Sequence, residues 1–147
     1  MLLWQLAFAQ PKTKFVRPNI IIINIDDMGY GDTEPYGMTG IPPTPNFTWL
    51  TKEGTRFTHF NAGQPVCTAS RAALLTGCYP NRVGMQGMLL PADHRALNPA
   101  EETMATLLKK AGYQTAMLGK WHLGNKAPYL PSSRFSCIWA RAAGCVG

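Results

Sequence analysis

Residues 18–25 read PNIIIINI, and the two residues that follow are Asp26 and Asp27. Isoleucine favours strands, because its branched Cβ restricts χ1 and packs well on a pleated surface. A strand that is apolar at successive positions is typical of the centre of a parallel sheet, where helices cover both faces. The segment therefore predicts a central parallel strand, and with it an α/β fold.

The segments after this strand alternate between helical and extended patterns. Thr44 and Pro45 are typical of a helix start, and Gly77 is typical of a helix end. The predicted elements are a helix over 45–53, a strand over 55–62, a helix over 68–76, a loop from 79, a helix over 99–110 and a strand over 113–118. This order predicts a mostly parallel central sheet with helices on both faces, which carries its site at the carboxyl ends of the strands.

Composition narrows the function classes. Of the 147 residues, 46% are hydrophobic and only 15% are charged, which excludes a disordered tail. The longest apolar runs are shorter than the roughly 18 residues that indicate a membrane span. The 14 Lys and Arg against 8 Asp and Glu give a net charge of +6, but the basic residues are scattered along the chain. We therefore expect no nucleic-acid partner and favour a small anionic substrate.

The amino terminus and the cysteines bear on the compartment. Residues 1–10 read MLLWQLAFAQ, an apolar stretch with an Ala-Phe-Ala triplet that predicts a signal-peptide remnant. A secreted, periplasmic or lysosomal location would follow, and the alternative is a leader with no targeting role. The cysteines at positions 67, 78, 137 and 145 show neither CxxC nor zinc-finger spacing, and they predict no disulfide framework.

Asp26 and Asp27 are candidate metal ligands. Two adjacent carboxylates at the end of a buried strand repel each other unless a cation lies between them. Hard divalent ions such as Ca²⁺ and Mg²⁺ prefer such oxygen donors, although two ligands do not fill a calcium shell. The alternative is an Asp pair that caps a turn through backbone hydrogen bonds.

Cys67 and Arg71 are candidates for a nucleophile and an anion-binding group. Cys67 lies at the start of a predicted helix, where the positive end of the dipole favours an activated nucleophile. Arg71 follows four residues later, on the same helix face, where its guanidinium can hold an anion. The alternative is a buried structural cysteine with an arginine in a surface ion pair.

Lys120 and His122 follow the last predicted strand. In an extended segment both side chains project to one side, which places a cation beside a proton-transfer group. The alternative is a solvated lysine and a structural histidine in a loop. With the Asp pair, Cys67 and Arg71 at the same sheet end, these residues predict a metal-assisted site for transfer of a tetrahedral oxyanion.

Three motifs in this order resemble the type I sulfatases of the alkaline phosphatase superfamily. Residues 67–77, CTASRAALLTG, resemble the signature Cys-x-Pro-Ser-Arg-x-x-Leu-Leu-Thr-Gly. Residues 112–122, GYQTAMLGKWH, resemble the second signature, and residues 19–31 resemble the first strand and metal loop. The likeness extends over residues 17–124, and residues 82–91 resemble the arylsulfatase A and N-acetylgalactosamine-6-sulfatase branch most.

The resemblance implies a role for each candidate residue. A maturation enzyme would oxidise Cys67 to formylglycine, whose hydrate attacks sulfur and then expels sulfate as the aldehyde re-forms. Asp26 and Asp27, with the converted Cys67, would bind one Ca²⁺. Arg71 would steady the hydrate, Lys120 would contact the sulfate group, and His122 would assist release. The substrate would be a small sulfate ester or a sulfated sugar.

The chain also departs from the family pattern. Ala69 stands where the maturation signal usually has Pro. We expect residues 17–126 to be the amino-terminal part of a sulfatase catalytic domain, and 130–147 to be a divergent tail, out of frame or disordered. The family's later metal ligands, leaving-group histidine and second lysine have no counterpart here. We therefore expect the 147-residue chain alone to be inactive. The alternatives to a sulfatase function are a truncated, inactive sulfatase fragment and a phosphodiesterase relative that uses Thr68 as its nucleophile.

Overall fold

The computed structural model describes residues 17–37, 39–40, 42–124 and 136–142, the last of these as backbone only. The predicted signal remnant at 1–10 and most of the tail at 130–147 lie outside the described residues. The helices and strands are β1 (Ile20–Asn24), α1 (Pro45–Glu53), α2 (Cys67–Thr76), α3 (Met104–Lys110), β2 (Tyr113–Leu118) and β3 (Ser136–Ala142). Single 3-10 turns lie at Tyr30–Asp32, Glu34–Tyr36 and Pro80–Val83.

The described strands form a three-stranded sheet in the order β1-β3-β2. β3 is antiparallel to both neighbours, with Ile138 opposite Ile22 on one side and opposite Met117 on the other. β1 and β2 therefore run in the same direction, as the prediction requires, but both pair through an antiparallel strand. The predicted mostly parallel pairing is wrong for the described residues, because β3 comes from the tail, where the sequence pattern predicted no strand.

One face of this sheet is open to solvent in the described part of the chain. Along β1, Ile22 packs against the core, whereas Ile21 and Ile23 are 61% and 69% exposed. Along β2, Met117 packs against the same core and Leu118 is exposed. The expectation that both faces of the sheet are covered is therefore wrong here. A continuous isoleucine run does not indicate whether one face or both faces of the strand are covered.

Segment 55–62, predicted as a strand, has no regular structure. Its backbone carbonyls bond to side chains rather than to a neighbouring strand: the Tyr36 hydroxyl donates to Phe57 O at 2.9 Å, and the Tyr30 hydroxyl donates to Phe60 O at 2.7 Å. Tyrosine hydroxyls thus satisfy groups that a sheet ladder would otherwise satisfy. The prediction rested on the alternation of Phe and polar residues, which does not indicate hydroxyl donors from distant parts of the sequence.

The helices begin close to the predicted positions, with one exception. α1 and α2 agree with the prediction to within one residue, but α3 begins at Met104 and not at 99. Thr103 caps α3, because its hydroxyl accepts the Thr106 N–H at 3.2 Å. The side-chain cap therefore marks the helix start better than the acidic residues before it do.

The core lies beneath α2 and includes part of the long loop that follows it. Its buried members are Ala72, Leu75, Val83, Met85, Leu89, Leu97 and Leu123. The loop from 79 is thus a packed connection, and it carries Leu89 and Leu97 into contact with the segment after β2. This packing positions the start of α2 against the ends of β1 and β2.

Gly63 permits the close approach of the preceding segment to α2. A Cβ at this glycine would lie 2.6 Å from the Cβ of Ala73, a distance that real side chains do not adopt. The chain therefore passes directly over α2 just before Cys67 begins the helix.

Candidate active site

Cys67 is the first residue of α2. Val66 before it is extended, and the first intrahelical hydrogen bond runs from Ser70 N to Val66 O at 3.0 Å. The half-buried Cys67 side chain therefore lies beside backbone N–H groups that have no acceptor within the helix. Such a helix start favours negative charge, as the sequence analysis expected.

Asp26 joins the three chain segments of the site. Its carboxylate accepts a hydrogen bond from Arg71 Nη2 at 2.9 Å and one from Lys120 Nζ at 2.7 Å. Arg71 Nη1 also donates to the backbone oxygen of Lys120 at 2.7 Å. We call Asp26, Arg71 and Lys120 the Asp26 network. It ties the end of β1 to α2 and to the segment after β2.

The Asp26 network is only partly open to solvent. The Arg71 side chain is 4% exposed, while those of Asp26 and Lys120 are about one-third exposed, at 32% and 29%. Arg71 is therefore not an arginine in a surface ion pair, and Lys120 is not a solvated lysine. The arginine and lysine parts of the two alternatives are therefore wrong, whereas a structural Cys67 and a structural His122 stay as alternatives.

The charges of the network shift two pKa values in opposite directions. The hydrogen bond from Lys120 is the largest cause that lowers the pKa of Asp26; burial opposes it, and Arg71 adds to it. The hydrogen bond to Asp26 raises the pKa of Lys120, and a hydrogen bond to Cys67 adds a smaller contribution. The ion pair thus favours the charged forms of both Asp26 and Lys120.

Asp27 brings a second carboxylate to the same place. One ligand atom from each of Asp26, Asp27 and Cys67 lies within 4.8 Å of the others. Asp27 has a left-handed backbone with φ of 56°, a conformation that Asp adopts more readily than most residues. The carboxylate pair shares a concave surface with the nucleophile candidate.

His122 lies near this group but has a different contact. Its φ of 56° is left-handed, so the extended alternation predicted to align it with Lys120 does not continue through it. Its Nε2 lies 2.9 Å from the carbonyl oxygen of Leu89. Its Nδ1 is buried and has no hydrogen-bond partner among the described residues.

The structure also gives Thr68 a role that the sequence analysis missed. Thr68 is fully buried, and its hydroxyl oxygen accepts the N–H of Leu89 at 3.1 Å. A buried hydroxyl that is engaged in this way is poorly suited to attack a substrate, which disfavours the reading of Thr68 as nucleophile. The sequence offers no signal for the role of Leu89, because it acts through backbone atoms.

The chain is similar to a family model and to several known proteins. The family model described as Sulfatase matches residues 18–136. Mouse steryl-sulfatase is 47% identical over 113 residues, which are 73% of this chain and 18% of that protein. Human arylsulfatase A is 48% identical over 120 residues, covering 81% of this chain and 22% of the relative. Rat arylsulfatase G is 40% identical over 140 residues, covering 92% and 26%.

A solved structure is similar as well. The crystal structure of Ps i-CgsB in complex with k-i-k-neocarrahexaose superposes with a TM-score of 0.66 at 36% identity, covering 72% of this chain and 24% of that one. The chain thus spans about a fifth to a quarter of the length of the relatives it matches.

Every helix in the described part of the chain is too short or too polar to cross a membrane.

The Asp26 network predicts a pH-dependent stability. Asp26→Asn should lower the free energy of unfolding by about 2 kcal/mol at neutral pH, because a buried guanidinium loses a charged partner. The pKa of Asp26 is lowered by folding, so its contribution is present above the ordinary carboxyl pKa and is lost as pH falls through the folded-state value. Urea unfolding of both chains in chelator, from neutral to acidic pH, measures this difference.

Glu53→Gln is the matched control, since Glu53 is an exposed carboxylate at the end of α1. It should leave stability nearly unchanged across the same range. An Asp26→Asn effect that stays constant into strong acid would show that the stabilisation is not an ionic one.

Proposed function

The chain belongs to the sulfatase family, the enzymes that hydrolyse sulfuric esters, and from that premise we propose that its Cys67 site serves sulfate-ester hydrolysis. The single observation that carries the proposal is the Asp26 network around Cys67, which joins Arg71 to Lys120 through one carboxylate. The relatives named steryl-sulfatase and arylsulfatase support a small sulfate ester as the substrate class, and a sulfated sugar is the other candidate.

Arg71 and Lys120 supply the positive charge for an anionic substrate. Lys120 Nζ donates to Asp26 at 2.7 Å, and ligand atoms of Asp26 and Cys67 lie within 4.8 Å of each other, so the ammonium group lies beside a carboxylate that is close to the attacking position. Arg71 is held almost without exposure by Asp26 and the Lys120 backbone, so its guanidinium is fixed before a substrate arrives. Fixed cations stabilise negative charge that develops on transferring oxygens without a cost of reorganisation.

We further propose that Cys67 is converted to formylglycine by a maturation enzyme. An aldehyde at this position supplies, once hydrated, a hydroxyl nucleophile with an internal route for releasing sulfate. The backbone accommodates the maturation signal: Ala69 is the third residue of α2, where the N–H has no acceptor within the helix. A proline there would remove no helical hydrogen bond, so Ala69 and the usual Pro suit the same fold.

The donor set also fits Ca²⁺, provided that Cys67 is converted. Asp26 and Asp27 offer hard oxygen ligands, whereas a thiol is a soft ligand that Ca²⁺ does not favour. An oxygen at residue 67 would make all three donors hard. The ion would add positive charge beside Arg71 and Lys120, and Asp26 would then be shared among three cations.

One observation favours a second candidate function, a sulfatase-like chain that binds a sulfate ester without turnover. Within the described residues the candidate metal ligands are Asp26, Asp27 and Cys67. Ca²⁺ takes six to eight oxygen ligands. A partial shell would bind the ion weakly and leave the cationic site able to hold an anion.

The affinity for Ca²⁺ tests whether the described ligands form a partial shell. Calorimetric titration of the formylglycine-bearing chain with Ca²⁺ should give a dissociation constant no tighter than about 0.1 mM, as expected for sites with few charged ligands. Asp27→Asn should remove the binding, whereas Glu53→Gln, which removes an exposed charge elsewhere, should not. Equal loss in both variants would mean that Ca²⁺ responds to net charge and not to this site.

Conversion and turnover test the proposal itself. After co-expression with a formylglycine-generating enzyme, the peptide that contains Cys67 should show the mass of an aldehyde, and Ala69→Pro should raise the converted fraction. Hydrolysis of a chromogenic aryl sulfate should be lost in Cys67→Ala and kept in Cys78→Ala, which removes the other described free cysteine. An aldehyde-bearing chain that binds the ester without hydrolysing it would support the second candidate.

A further inference from the structure

Leu89 is bound at both of its backbone polar groups by side chains that flank the proposed site. Its N–H donates to Thr68 Oγ1 at 3.1 Å, and its carbonyl oxygen lies 2.9 Å from His122 Nε2. Thr68 is fully buried and Leu89 is 3% exposed, so water does not compete for either contact. Thr68 is adjacent to Cys67, and His122 is two residues beyond Lys120.

This contact determines which nitrogen of His122 carries the proton. A carbonyl oxygen only accepts hydrogen bonds, so His122 Nε2 must be the N–H donor. In the neutral ring Nδ1 then has a free lone pair and can only accept. Nδ1 is buried and has no partner among the described residues, so these residues leave it available to accept a hydrogen bond from a further group.

The backbone holds the imidazole in this arrangement. The left-handed φ of His122 costs energy and persists only where the surroundings enforce it. The next residue, Leu123, is fully buried, and its carbonyl accepts the Leu97 N–H at 2.9 Å. Arg95 fastens the loop that carries Leu89, since its guanidinium donates to the carbonyl oxygens of Gln86 and Met88.

We propose that Thr68 is a positioning residue for His122: through Leu89 it holds the imidazole in the Nε2–H form and presents Nδ1 as a hydrogen-bond acceptor. The link has two hydrogen bonds, from the Leu89 N–H to Thr68 and from His122 to the Leu89 carbonyl. The purpose of the acceptor, to take a hydroxyl proton at residue 67, rests on the proposed function. The link itself does not.

Nuclear magnetic resonance of the full chain with ¹⁵N-labelled histidine tests the link without any assay of turnover. An imidazole N–H that is exposed to water exchanges too quickly to be observed, whereas a buried and hydrogen-bonded one gives a protected resonance. The wild-type chain should show this resonance for His122 Nε2, assigned by its absence in His122→Gln. No such resonance in the wild-type chain would overturn the proposal.

Variants then separate positioning from simple packing. Thr68→Val keeps the side-chain shape but removes the acceptor, and it should raise the exchange rate of the His122 Nε2 proton about tenfold or more. Thr68→Ser should restore protection. Thr76→Val is the matched control, because Thr76 lies in the same helix and also accepts a backbone N–H, that of Cys78. It should leave the His122 resonance unchanged.

One result would contradict the link between Thr68 and His122, and a different result would contradict the proposed function. Unchanged protection of the His122 Nε2 proton in Thr68→Val, with the Leu89 amide exchanging freely, would show that Thr68 does not position the ring. If Thr68→Val does not fold, Thr68→Ala removes the same acceptor without added bulk and is judged by the same resonance. Absence of aryl sulfate turnover in the aldehyde-bearing wild-type chain, with the His122 Nε2 resonance intact, would refute the proposed hydrolysis. It would leave the link between Thr68 and His122 standing.

Discussion

The shared carboxylate of Asp26 is the interaction on which the site depends. One oxygen faces the guanidinium of Arg71 and the other faces the ammonium of Lys120. These residues come from the end of β1, from α2 and from the segment after β2, so a single ionic centre fixes the relative positions of three elements. The two positive charges also neutralise a carboxylate that lies within 4.8 Å of a ligand atom of Cys67 and would otherwise repel an anionic substrate.

The loop after α2 is the second constraint, and it acts through packing. Met85, Leu89 and Leu97 are buried in the core under α2. Because the loop is anchored in this way, its backbone can serve as a rigid partner for Thr68 and His122. Charge thus positions Arg71 and Lys120, whereas packing and backbone hydrogen bonds position His122.

The sequence predicted the residues of the site better than their arrangement. Asp26, Asp27, Cys67 and Lys120 could be found because charged or nucleophilic residues follow strands and begin helices, and the structure brings them together. The antiparallel β3 was not predictable, since its pairing depends on residues over a hundred positions away. The irregular structure of segment 55–62 depends likewise on Tyr30 and Tyr36. The link between Thr68 and His122 runs through backbone atoms that no residue pattern reveals.

A double-mutant cycle on Asp26 and Lys120 tests most directly whether the Asp26 network organises this site. The chain and its Asp26→Asn, Lys120→Met and double variants would be unfolded in urea at neutral pH with chelator present. Partly exposed ion pairs couple weakly, so the account predicts an interaction energy of about 1 kcal/mol between the two sites. Effects that add to within about 0.3 kcal/mol would contradict it, because Asp26 and Lys120 would then act independently.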